Sequence, residues 1–111
     1  MNTRLPDDKK RSIHRLLVNR ILQGPGRAAA DTRARAFDNA KLPEPLRLLL
    51  DKVATRSAQV TDADFATAIE AGFTDDQLFE LVICAAVGQS TRQYEAGLAA
   101  LAEATADTET G

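Results

Sequence analysis

The sequence predicts an all-α protein, a bundle of about five helices around one long buried helix near residues 75–102. Three observations carry this. From Leu78 to Val87 every position except Glu80 is apolar, so a helix there is hydrophobic on nearly every face and belongs in an interior. Two helix starts are written alike, Val60-Thr61-Asp62-Ala63-Asp64-Phe65 and Phe73-Thr74-Asp75-Asp76-Gln77-Leu78. Apart from a few residues around Val60, apolar side chains nowhere alternate with period two, which removes β-strands.

From about Asp7 to Gln23, Ile13, Leu16, Leu17, Ile21 and Leu22 fall on one helical stripe with bases on the other side. Gln23-Gly24-Pro25-Gly26 ends that helix. A second helix is expected from Arg27 or Ala28 to Asn39, with Ala29, Ala36 and Phe37 as a modest contact face. Lys41 to Pro45 is a hinge, because each proline disfavours helical geometry in the residue before it. Pro45 then suits the first turn of a third helix, Glu44 to Arg56, which buries Leu46, Leu49, Leu50 and Val53. A short fourth helix, Asp62 to Ala71, presents Phe65 and Ile69, and Gly72 stands where a left-handed cap belongs.

The fifth helix opens at Thr74. Thr74 and Gln77 can exchange hydrogen bonds as a capping box, and Phe73 can close over Leu78 as a hydrophobic staple. Asp75 and Asp76 lie at the positive end of the helix dipole. The helix continues as a narrower amphipathic segment through Tyr94, Leu98 and Leu101, and residues after Ala104 are expected to fray.

One hundred and eleven residues make one domain, with a core small enough that oligomerisation would help it. We divide it into a basic helical arm (1–40), a helical core (41–105) and a disordered tail (106–111). One cysteine rules out an internal disulfide and points to a reducing compartment. There is no apolar signal core near the N-terminus and no apolar run approaching the roughly 20 residues of a membrane span. The expectation is a soluble cytoplasmic protein without a membrane partner. The net charge of -2 conceals a split: residues 1–35 carry nine bases and three acids, whereas the remainder is acidic. No aromatic stacking residues accompany the basic charges, so packing against its own or a sister chain is favoured over nucleic-acid binding.

The run VTDADFATAIEAGFTDDQLFELVICAAVGQSTRQYEAGLAAL resembles the alkylhydroperoxidase AhpD-like and carboxymuconolactone decarboxylase superfamily. The resemblance covers about residues 46–102 and rests on the Thr61-Asp62-Ala63-Asp64 cap, the Ala71-Gly72-Phe73-Thr74-Asp75-Asp76 turn and a long helix carrying Glu80 near its start. It implies a helical oligomer of trimer or hexamer type. In the peroxidase branch that glutamate is followed by Cys-x-x-Cys-x-x-x-His; here the cysteine positions fall on Arg92 and Glu95 and the histidine position on Ala99. Arginine and glutamate cannot perform thiol chemistry, so the redox route is closed unless a related partner chain supplies those residues.

Glu80 is the residue to watch, since a carboxylate in an apolar helix must be paired, reach a rim or shift its pKa. The structural reading is a salt bridge, to Arg92 or to an arginine of the arm. The functional one makes Glu80 a general acid or base, Arg92 a clamp for a substrate carboxylate, and Glu95 an assistant, with Gln89, Thr91 and Tyr94 lining the pocket. Arg92 and Glu95, three apart, can also pair along the helix. Cys84, in the middle of the apolar run, is expected as an unreactive core thiol. His14, the only histidine, reads as an ordinary surface residue. Gly88 and Gly97 each cost a helix about 1 kcal/mol relative to alanine, which suggests close approach of another backbone. No metal or cofactor is expected. The leading expectation is a non-redox oligomeric accessory or small-molecule-binding protein; the alternative is a decarboxylase- or isomerase-type enzyme acting on a small carboxylic acid or lactone.

Overall fold

Both helix starts spelled out in the sequence are formed in the computed structural model, which describes residues 7–110 and side chains over residues 9–106. The chain runs through α1 (Asp7–Gln23), α2 (Ala30–Asp38), α3 (Glu44–Thr55), a 3-10 turn (Ser57–Gln59), α4 (Asp62–Glu70) and α5 (Asp75–Thr110). No strand occurs among the described residues. Arg4 of the basic segment and Gly111 of the tail lie outside them.

Thr61 and Asp64 form one capping box, with Thr61 N–H donating to Asp64 Oδ2 at 2.9 Å. In the other, Thr74 N–H donates to Gln77 Oε1 at 2.9 Å and Gln77 N–H to Thr74 Oγ1 at 3.2 Å. Gly72 takes φ +106°, Gly72 N–H reaches Ile69 O and Phe73 N–H reaches Ala68 O. This pair of bonds is a Schellman ending, and it turns the chain sharply from α4 into α5.

The core joins Ala28 and Ala36 to Leu46, Leu49 and Leu50 of α3, Ala68 of α4, and Leu78, Leu81, Cys84 and Ala85 of α5. Because Ala28 and Ala36 precede residue 41, the core extends back into the segment read as an arm. Lys52 of α3 and Asp64 of α4 add a largely buried ion pair at 3.0 Å across the α3–α4 contact.

Three local expectations change. Helix α2 starts at Ala30, two to three residues late, because Ala29 is extended with ψ 142° and stands as its N-cap. In α4 it is Ala68 that is buried, while Ile69 is exposed. The α1 stripe divides: Ile21 packs against the core and Leu22 is half-buried, whereas Ile13, Leu16 and Leu17 are exposed, and α1 approaches α5 through the side that carries His14.

Helix α5 spans 36 residues, about 54 Å at 1.5 Å per residue, and so accounts for the longest dimension of 57 Å. It continues through the residues expected to fray. Its first half packs on α2, α3 and α4. Within one chain it is not shielded all round, because Ala86 is exposed and Phe79 is 67 % exposed. No helix among the described residues is long and apolar enough to cross a membrane.

Candidate functional site

Glu80, one turn into α5, meets the loop between α1 and α2. Its carboxylate accepts hydrogen bonds from the backbone N–H of Arg27 at 2.7 Å and of Ala28 at 2.6 Å. Gln77 supports the same loop by donating to Arg27 O at 3.3 Å. A side chain at Gly26 would stand 2.9 Å from Glu80 Oε1, so it would push the carboxylate from its place against the loop. The two amides, aided by the charges of Arg33 and Arg27, outweigh desolvation and hold the Glu80 carboxyl below the usual glutamate range.

Arg33, only 7 % exposed, ties the other side of this loop by donating from one terminal nitrogen to Ile21 O at 2.9 Å and Gly24 O at 2.8 Å. Its Nε is buried without a partner. Cys84 lies in the core beside this cluster, and burial pushes its thiol up despite the opposing charge of Arg33. A buried thiol kept protonated is a poor nucleophile.

Two turns further along, Gly88 admits the backbone of α2: a methyl group at this position would collide with the Phe37 carbonyl. Arg92 donates to that same carbonyl at 2.6 Å and to Gln89 Oε1 at 2.9 Å. Phe37 lies in the last turn of α2, where carbonyls lack helical partners and a positive charge is favoured. Arg92 is therefore committed to capping α2, with Gln89 as its brace, and does not bond to Glu95.

Beyond this joint the surfaces of α1 and α5 part to form a cleft of about 500 Å³ lined by Arg11, His14, Arg15, Val18, Phe37, Thr91, Tyr94, Glu95 and Leu98. His14 Nε2 lies 2.8 Å from Thr91 Oγ1, and Thr91 donates its own proton to Val87 O at 2.7 Å. With that proton spoken for, Nε2–H is the donor to Thr91, and Nδ1 takes no part in the contact. The Tyr94 ring sits 6.1 Å from that of His14, tilted by 34°.

The sequence-predicted residues thus separate into two places. Thr91, Tyr94 and Glu95 line the cleft, whereas Glu80 lies twelve residues back from Arg92, about 18 Å along the helix axis, and serves a different loop. The proposed pairing of Glu80 with Arg92 on one substrate is not what the structure brings together. Sequence reasoning passed over His14, Arg11 and Arg15; the available signal was their recurrence at 11, 14, 15 and 18 with Val18, opposite the leucine stripe.

A second depression, of about 600 Å³ between α3 and α4, is lined by charges that answer one another. Arg47 pairs with Glu44, Arg56 with Asp51, and Lys52 with Asp64. Among the described residues no group of three His, Cys, Asp or Glu side chains is placed to hold a metal ion. Searches against family models, curated proteins and solved structures find no match for this chain.

Proposed function

We propose that this chain is a non-redox, self-associating protein of the AhpD-like kind that binds a small carboxylic acid in the α1–α5 cleft. The observation that carries the reading is the set of side chains meeting there: Arg11, Arg15 and His14 along one wall, Tyr94 and Glu95 along the other. Arg11 and Arg15 make no ion pair among the described residues, so their charges are available to an incoming carboxylate. Val18, Phe37 and Leu98 give the cleft the apolar lining that small-molecule sites use, and Glu95 offers an acceptor to a hydroxyl on the ligand. Self-association is supported by the apolar side chains that one chain leaves uncovered, Phe79, Leu16 and Leu101 among them.

The test uses the cleft's own reporter, since Tyr94 is the only tyrosine and the chain has no tryptophan. Titration of the protein with a panel of small hydroxycarboxylic acids should change the tyrosine emission and shift the His14 ring resonances. Arg15→Ala should weaken that response about tenfold, the usual worth of one charged contact. A panel that moves neither signal at millimolar concentration removes the reading.

A second reading, an acid–base enzyme acting on the same ligand, is favoured by the orientation of His14. The Thr91 contact leaves its Nδ1 free to take a proton, with Tyr94 and Glu95 close by. In that case His14→Gln abolishes turnover of a ligand that the variant still binds; unchanged turnover would exclude His14 as the base.

A further inference from the structure

Two surfaces of this chain are exposed, apolar and opposite in charge. On α1, Lys9, Ile13, Leu16, Leu17 and Arg20 recur at intervals of three and four, on the side turned away from His14. All five are exposed, Leu16 to 68 %. Helix α1 carries five Lys or Arg against two acids, Asp7 and Asp8, both in its first turn. On α5, the stretch beyond Leu98 is exposed wherever its side chains are described, with Leu101 at 63 %. Nothing lies within 4 Å of the point where a side chain on Gly97 would begin. From Gly97 to Thr110 the sequence carries three acids and no Lys or Arg.

We infer that these two surfaces are the halves of one interface between two copies of the chain, with α1 of each protomer lying along the distal half of α5 of the other. The inference rests on the self-association proposed above and says where it occurs. Charge complementarity identifies the occupant: a basic helix with a leucine stripe fits an acidic one with an exposed leucine and small neighbours, and each chain carries one of each. The two cannot satisfy each other within one chain, because the α1 stripe points away from α5. A two-fold axis makes both contacts at once and leaves neither surface over, as an isologous pair requires. The lengths agree as well, with about 25 Å for the 17 residues of α1 and about 21 Å from Gly97 to Thr110. Alanines and Gly97 let the incoming helix approach closely, and the leucines supply the apolar area.

The experiment is sedimentation equilibrium on the full chain and two charge-reversed variants. One carries Lys9→Glu with Arg20→Glu, the other Glu103→Lys. Each variant alone should dissociate about tenfold more readily than the parent, because like charges then face each other in both copies of the contact. Mixed in equal amounts, the two should associate with each other in preference to themselves, since each altered helix now meets its complement. Recovery in the mixture cannot come from a folding defect. A parent chain that stays monomeric at high micromolar concentration overturns this interface together with self-association. A parent that associates while neither variant weakens, or while the mixture does no better than its components, overturns the interface alone.

Discussion

Glu80 of α5 and Ala28 of the α1–α2 loop, 52 residues apart in sequence, are joined by a 2.6 Å hydrogen bond from the Ala28 amide to the Glu80 carboxylate. The contact fixes the path of the loop that leads into α2, whose first residue is Ala30. Hydrogen bonds to a charged group contribute about 1.5–3 kcal/mol. Glu80→Ala should therefore lower unfolding stability by about that much in urea denaturation, and Glu80→Gln by less, because an amide keeps one acceptor. Equal stability of all three proteins would show the clasp to be incidental.

The pH dependence follows from the same carboxylate and from Asp64. Backbone donation by Thr61, then the Lys52 ammonium, holds the Asp64 carboxyl below the usual aspartate range, as the Arg27 and Ala28 amides do for Glu80. The folded state therefore binds protons more weakly at both sites than the unfolded chain does. Their contribution is complete above the unfolded pKa values, about 3.9 for Asp and 4.3 for Glu. It is lost as pH falls from there through the lowered folded values. Urea midpoints measured downward from pH 6 should drop through this range, and the drop should shrink in Glu80→Gln and in Asp64→Asn. A midpoint as pH-sensitive in both variants as in the parent would contradict the assignment.

What the sequence reveals here is mostly what neighbouring residues decide among themselves. The capping boxes at Thr61 and Thr74, the turn at Gly72 and the α3 stripe of Leu46, Leu49 and Leu50 depend on contacts within a few residues. The cleft does not. His14 reaches Thr91 across 77 residues, and which side of α1 meets α5 is set by a loop whose path depends on Glu80 and Arg33. The leucine stripe of α1 has the same spacing whether it faces a core or another chain, so periodicity alone does not choose between them. Phe79 misleads for a related reason: an apolar run shows that a helix is greasy without showing which sides its neighbours leave open.

Gly88 and Gly97 stand in the same helix and should respond oppositely to the same substitution. Gly88→Ala sets a methyl group against the backbone carbonyl of Phe37, which cannot swing aside as a flexible side chain would. It should destabilise the fold by about 1–3 kcal/mol, as overpacking does, and loosen the Arg92 contact with α2. Gly97→Ala meets open space and should add up to about 1 kcal/mol of helix stability. Thermal melts at a concentration low enough to hold the chain monomeric separate the two effects. Similar melting shifts in the two variants would mean that α2 does not press on α5 at residue 88.

Cys84 tests whether the first half of α5 remains closed. The side chain is 1 % exposed and burial raises its thiol pKa, so little thiolate is present and a reagent in solution has no path to it. An aromatic disulfide reagent at pH 8 should label the native protein only at the rate at which the surrounding core opens. That rate should rise in parallel with any loss of stability produced at Glu80 or Gly88, because both substitutions disturb helices that cover the thiol. Labelling of the native protein as fast as of a urea-unfolded control would show that the core around Leu81 and Ala85 is open to solvent.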